Sequence, residues 1–305
     1  MSPADLLNTF SNNLLPIVLI SGVGFLMGKY LSVDPRSLGR VNFYFLIPVL
    51  VFNLLINNGL PPKEILVTIG FATAVMTTIG LITLAAGWIM HLDRPVLMAA
   101  LLTSICITAG NYGLPLVSFA FGKEALAHAS LYFITTSILS NTLGVIIASM
   151  GHMNFKEAAL GLFKVPTVYM VILAVFLNQL HIQLPMSIGR TINLIASGCI
   201  PLMLVLLGLE LQRVKWSNSV RAIGLGTVMR LVLGPVVSLL LSIPFGLKGA
   251  ARQGNVVESS MPTAVMTIVL ATEYGLEPAL VTATVFISTL LSPLTLTPLL
   301  VYLGR

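Results

Sequence analysis

Runs of about twenty apolar residues follow one another along most of this chain, and they decide what it can become. A helix needs that length to cross ~30 Å of hydrocarbon at ~1.5 Å per residue, and the runs lack the roughly ten-residue polar/apolar alternation of a membrane barrel. Ten can be drawn, at residues 13–30, 38–57, 65–90, 95–121, 125–150, 165–180, 187–210, 218–245, 250–272 and 278–303. Only 9% of the 305 residues are charged, against ~25% in a soluble domain, so the chain reads as an all-α, multi-pass protein of the lipid bilayer. No Lys or Arg precedes the first run and no cleavage pattern follows it, so it is expected to stay rather than be removed as a signal.

The net charge of +6 does not point to nucleic acid, because the basic residues are scattered through short loops rather than gathered in a stripe. Their distribution reports orientation instead. With the N-terminus outside, Lys29, Arg36, Arg40, Arg94, Lys156, Lys164, Arg213, Lys215 and Arg221 fall inside. Lys63, Lys123, Arg190, Lys248, Arg252 and Arg305 fall outside, and Arg230 lies within a span. That balance predicts a plasma membrane protein (a bacterial inner membrane) with both termini outside. Cys106 and Cys199 sit in apolar spans and read as packing residues. His91, His128, His152 and His181 lack ligand spacing, so no structural metal is expected.

The fourth run is interrupted by Thr108-Ala-Gly-Asn-Tyr-Gly-Leu-Pro115. Freed backbone groups in hydrocarbon must face protein or a wet cavity, so Gly110, Gly113 and Pro115 point to a binding cavity at membrane depth. The chain also matches itself at an offset of 153. Ile47-Pro48 falls on Ile200-Pro201, Phe121-Gly-Lys-Glu124 on Tyr274-Gly-Leu-Glu277, and Phe133-Ile-Thr-Thr136 on Phe286-Ile-Ser-Thr289. Two halves, 1–152 and 153–305, each hold five runs, so the second enters the membrane inverted, as in secondary transporters whose discontinuous helices meet near the midplane. The repeat predicts a second interruption near residue 263, where Glu258-Ser-Ser-Met-Pro-Thr263 stands. Gly151 to Lys164 joins the halves and is too short for a regulatory domain.

Glu258, well inside its run, is by default a functional group. Among Asn and hydroxyl oxygens it can ligate a hard cation such as sodium, and desolvated it can carry a proton; alternatively it pairs with Arg230 as a strut. Arg230 can grip a substrate carboxylate, pair with Glu258 or snorkel. Thr108 and Asn111 supply polar groups at the first break, where a half-helix beginning after Gly113-Leu-Pro would offer free N–H groups to an anion; Asn111 can equally tie the broken backbone. Asn42, Asn53, Thr135, Thr136, Asn141 and Ser197 are lesser candidates. No His-Glu-x-x-His, Gly-x-Ser-x-Gly or Walker loop is present, so neither an enzyme nor an ATP-driven pump is expected.

With Gly110-Asn-Tyr-Gly-Leu-Pro-Leu116 before Phe121-Gly-Lys-Glu124, and Glu258-Ser-Ser-Met-Pro262 before Glu273-Tyr-Gly275 and Phe286-Ile-Ser-Thr289, the chain resembles the auxin efflux carrier family in its bacterial branch. The resemblance implies ten transmembrane helices in a 5+5 inverted repeat, with helices four and nine broken and crossed near Pro115 and Pro262. It implies scaffold and transport domains, each built from both repeats, and an architecture like those of the bile-acid symporters and sodium-proton antiporters. The cargo implied is a small organic anion, auxin-like or malonate-like. The substrate site expected is Thr108, Gly110, Asn111, Tyr112, Gly113, Pro115, Ser259, Ser260, Pro262 and Arg230. Plant members carry a long central loop, Asn where Thr108 stands and Gln where Glu258 stands. Glu258-x-x-Met261 is also similar to the ninth helix of the sodium/bile acid symporters, where the Glu binds sodium. That similarity implies a possible sodium ion held by Glu258, Asn111 and Ser130 or Thr135, and no other cofactor. A homodimer is compatible with this architecture. The competing reading is a non-transporting receptor that binds a small organic anion.

Overall fold

The computed structural model describes residues 3–31, 33–58, 60–148, 166–180, 182, 184–212 and 220–304. The connection from Gly151 to Lys164, with His152, Lys156 and Glu157, and also His181, Arg213, Lys215 and Arg305, lie outside the described residues. The apolar runs fold as α1 (Pro3–Tyr30), α2 (Pro35–Asn57), α3 (Pro62–Ile89), α4 (Arg94–Ile105), α5 (Leu114–Ala148), α6 (Pro166–Gln179), α7 (Met186–Leu211), α8 (Ala222–Ser242), α9 (Gly249–Ser259), α10 (Met266–Tyr274) and α11 (Pro278–Leu303). Six of these, α1, α2, α3, α7, α8 and α11, are long and apolar enough to cross a membrane. The expected spans 95–121 and 250–272 are not single helices. Each is divided, the first after Ile105 and the second after Ser259.

Large apolar side chains stand exposed on the outside, while some of the most polar ones are buried. Trp88 is 82% exposed and Leu194 76%, while Glu258, Asn255 and Arg230 are buried. This is the distribution expected when the surrounding solvent is lipid, because a charge facing hydrocarbon costs far more than a leucine there.

Prolines shape the helices by one local device. The π turns Phe10–Leu14, Asn42–Leu46, Ala109–Gly113 and Met229–Leu233 each end two residues before a proline: Pro16, Pro48, Pro115 and Pro235. A helical proline lacks an N–H and its ring collides with the carbonyl one turn earlier, and widening that turn relieves the collision without ending the helix. Pro115 therefore sits inside helical structure. The break that it marks in the sequence lies upstream, at Cys106 to Thr108, where the backbone leaves the helical region.

Two glycines 153 residues apart do punctuate the chain. Gly122 (φ 76°) bends α5 and Gly275 (φ 68°) ends α10. Positive φ suits glycine, which has no Cβ to strain.

Helix packing is set by small residues. α1 and α7 touch backbone to backbone: a Cβ at Gly24 would overlap Val205 O, and one at Gly208 would overlap Ser21 O. α9 lies as close on α5, since a Cβ at Gly254 would overlap Ala125 O. Such approach lets dispersion forces hold helices together where lipid supplies no hydrophobic drive. Gly24→Val is expected to destabilise the protein by about 1–3 kcal/mol through overpacking. Gly22→Ala, whose added methyl meets nothing within 4 Å, should leave the melting temperature in detergent unchanged.

Candidate functional site

The two broken helices meet as a short piece of antiparallel sheet. Ile107 lies opposite Thr263; Thr108 N donates to Pro262 O (2.9 Å) and Ala264 N donates to Cys106 O (3.0 Å). Proline explains the second break, because Pro262 drives Met261 out of helical geometry. Thr263 reinforces the junction: its hydroxyl donates to Thr103 O (2.8 Å), and its N–H donates to the Ser288 hydroxyl (3.2 Å).

At the crossing the C-terminal ends of α4 and α9 expose carbonyls that have lost their helical partners. Arg230 of α8, 2% exposed, fills that need. Its Nη1 donates to Ser104 O (2.9 Å), Nη2 to Ser259 O (2.6 Å) and Met261 O (2.8 Å), and Nε to Met261 O (3.1 Å). A cation beside two helix C-termini also offsets the negative ends of their dipoles. Arg230 therefore makes neither the strut to Glu258 nor the free fork for a carboxylate that the sequence allowed.

On the opposite side of the crossing two helices begin, one at the Ala109–Gly113 turn that leads into α5 and the other at α10. Both starts line a cavity of about 260 Å³, through Thr108, Gly110 and Asn111 on one chain segment and Ala264 to Thr267 on the other. The remaining wall brings Asn42 of α2, Thr136, Ser137 and Ser140 of α5, and Glu210 of α7. Asn111 Nδ2 donates to Glu210 Oε2 across this cavity at 3.4 Å. Glu210 is the cavity's one formally charged lining residue. Sequence reasoning missed it because it sits at the end of an expected span, where acids are usually solvated.

Of the substrate residues expected from the sequence, Thr108, Gly110 and Asn111 line this cavity. Tyr112 points elsewhere, sharing a hydrogen bond with Ser292 of α11 (3.0 Å). Pro115 is taken into the first turn of α5. Ser259 and Ser260 both donate to Val256 O of their own helix, and Pro262 provides the crossing carbonyl. The expected ion set is divided in the same way. Asn111 turns to Glu210, while Ser130 and Thr135 donate to Ala127 O and Leu131 O within α5.

Glu258 occupies a separate place. It is fully buried, its two carboxylate oxygens have no hydrogen-bond partner among the described residues, and the carboxyl lies so close to Gly113 that a Cβ there would overlap it. Gly113 is needed for that approach. No cluster of three or more His, Cys, Asp or Glu able to hold a metal occurs among the described residues.

A further cavity of about 550 Å³ lies between the same helices at their other ends, lined by Asn53 and Asn57 of α2, Asn193 and Ser197 of α7, and Ser118 and Lys123 of α5. α2 meets the smaller cavity at Asn42 and the larger at Asn53 and Asn57, and α7 does so in reverse order. The two cavities therefore flank the level of Pro48 and Pro201.

The family model described as membrane transport protein matches residues 9–300. An uncharacterized transporter of Methanothermobacter thermautotrophicus is 27% identical over 92% of this chain and 93% of its own length. A candidate malonate transporter of Rhizobium meliloti is 27% identical over 95% of this chain and 94% of its own. Auxin efflux carrier component 1 of Arabidopsis thaliana is 27% identical over 38% of this chain and 19% of its own.

Arg230→Gln is expected to lower the melting temperature strongly with or without added anion, since each carbonyl left unpaired in the interior costs about 1–3 kcal/mol. Arg230→Lys should recover only part of the loss, because one ammonium cannot span all three carbonyls. Equal stability of Arg230→Gln and the native protein would remove the guanidinium from this structural role.

Proposed function

This chain belongs to the membrane transport protein family, that of the auxin efflux carriers, and on that premise we propose that it is a secondary transporter that moves a small organic anion by alternating access. The observation that carries the reading is the pair of helix starts facing one polar cavity. Two half-helix N-termini direct the positive ends of their dipoles at the same place, which suits a carboxylate. Thr108, Asn111, Asn42 and the α5 hydroxyls add polar groups to the lining, and Arg230 is left to the helix C-termini behind the crossing. A volume of about 260 Å³ favours a small cargo such as malonate over an auxin-sized one, being below the ~300–1,000 Å³ of pockets for drug-sized ligands.

Alternating access draws support from the two cavities at opposite ends of the α2, α5 and α7 interface. In this reading α1, α2, α6 and α7 form the scaffold and the crossed helices with their neighbours form the moving part. The chain is a ten-helix 5+5 inverted repeat, with halves 1–152 and 153–305 and both termini outside. The crossing supports the inversion. Its two hydrogen bonds, Thr108 N to Pro262 O and Ala264 N to Cys106 O, interchange at an offset of 156, three residues from the sequence offset of 153. The transporter works as a monomer or as a homodimer through the scaffold. A receptor that merely binds the anion has less in its favour, because sensing alone does not require openings at both ends of one interface.

Glu258 is the coupling group in this reading. An unpaired charge so deep in the membrane is costly, so the carboxylate takes up a sodium ion or a proton, and that uptake changes how the Gly113 turn packs. In proteoliposomes, labelled malonate uptake is expected to follow an imposed sodium or proton gradient, and Glu258→Gln should abolish the gradient response while malonate still binds. Glu210→Gln should lower the half-saturating malonate concentration several-fold by removing a like charge from the cavity. Uptake that ignores both gradients and survives Glu258→Gln would remove coupling from Glu258, and absence of flux for a broad anion panel would favour the receptor.

A further inference from the structure

Of the six buried side-chain atoms without partners among the described residues, Ser21 Oγ and Thr227 Oγ1 stand on α1 and α8, and the other four gather in one place. His128 Nδ1, Asn255 Oδ1 and both Glu258 oxygens have none among the described residues. All three residues lie at the contact of α5 with α9, where Gly254 lets the two backbones meet at Ala125 and Ala129. His128 and Tyr132 are one turn apart on α5, and Asn255 and Glu258 nearly one turn apart on α9. Each pair therefore shares one face of its helix, so that His128 and Asn255 make an upper rung of the contact and Tyr132 and Glu258 a lower one.

The upper rung reaches the surface. His128 is 3% exposed, and its Nε2 lies 3.4 Å from Oε2 of Glu64, whose side chain at the start of α3 is about half exposed. Glu124, a turn earlier on α5, is the second carboxylate near the imidazole. On the α9 side Asn255 Nδ2 donates to the Thr68 hydroxyl of α3 (3.3 Å). The lower rung ends at Glu258, with Tyr132 and Ser259 in contact beside it and Arg230 held on carbonyls. The exposed end of this track lies on the membrane face of the α2–α3 connection. The cavity with Asn111 and Glu210 lies toward the other face, so Glu258 and the cavity stand on opposite sides of the Gly113 turn.

We propose that His128 and Asn255 form a proton path joining Glu64, on the face of the α2–α3 connection, to Glu258. The proposal rests on the reading of Glu258 as the coupling group and chooses the proton as its partner. His128 serves as a relay: Nε2 takes a proton arriving past Glu64, Nδ1 gives one up toward Glu258, and the imidazole changes tautomer without net gain. Between Nδ1 and the carboxylate the Asn255 oxygen and Tyr132 hydroxyl supply the polar contacts that a connecting water needs. Glu258 accepts the proton as the neutral acid and returns it by the same route.

The test follows the carboxylic acid directly and needs no cargo. With the full chain in liposomes, infrared spectra should contain a protonated carboxyl band that Glu258→Gln removes, and transfer into heavy water should shift it. His128→Gln and Asn255→Leu should keep the band, which reports an intact buried site, and slow its shift by about tenfold or more, as expected when a positioned transfer group is lost. Equal shift rates in the native protein and both variants would overturn the path, as would the absence of any Glu258-dependent acid band between pH 5 and pH 8. Malonate uptake under a pH gradient is read separately. Slowed exchange without gradient-driven uptake would leave the path standing and overturn the coupled transport it serves.

Discussion

Every backbone amide placed in hydrocarbon has to find a partner, and this fold depends on how that demand is met where two helices are broken. At the crossing, two N–H groups and two carbonyls that no helix can satisfy pair with each other between Cys106–Thr108 and Pro262–Ala264. The leftover carbonyls of Ser104, Ser259 and Met261 go to one guanidinium. Few side chains could replace it, since the fork of Arg230 reaches all three carbonyls and its charge stays with it when buried.

Satisfying those carbonyls sorts the crossing electrically. The negative helix ends share a side with Arg230, and the positive ends are left to look into the cavity. In the proposed reading, attraction for an anion comes from backbone geometry, since the cavity lining contains no basic side chain. Glu210 places the one carboxylate of the lining opposite those ends, where it accepts from Asn111. Glu258 is separated from the cavity by the Gly113 turn, so in the proposed reading the coupling group and the cargo groups touch the same turn without touching each other. Coupling between two sites needs a shared element with two arrangements, and the turn Ala109–Gly113 is the one they share.

The sequence offset of 153 meets the structure at one pair of glycines and departs from it at the crossing. At an offset of 153 the sequence pairs Gly122 with Gly275, and both adopt positive φ. The paired backbones at the crossing, however, join Ile107 to Thr263, which are 156 apart. The three-residue difference is close to one turn, and it is taken up beside the crossing: the first half accommodates Pro115 with a π turn after its break, whereas the second half uses Pro262 to make its break. Proline in the sequence announces a disturbed turn but not which disturbance. This is why the break expected around Gly110 to Pro115 lies at Cys106 to Thr108.

By itself the sequence determined the solvent, the helical class and the approximate position of both breaks along the chain, because those follow from apolar run length, charge scarcity and the placement of Gly and Pro. It also identified Thr108, Gly110 and Asn111 at the cavity and Glu258 as a deep acid. Tertiary structure alone decided what those groups face. Glu210 meets Asn111 from 99 residues away, and Arg230 turns to carbonyls of two other helices rather than to the acid it would be matched with on charge. His128, Asn255 and Glu258 come together through one glycine contact. A residue's partner is set by which helix faces pack together, and run length and hydropathy do not encode those faces in a chain whose helices are apolar nearly all round.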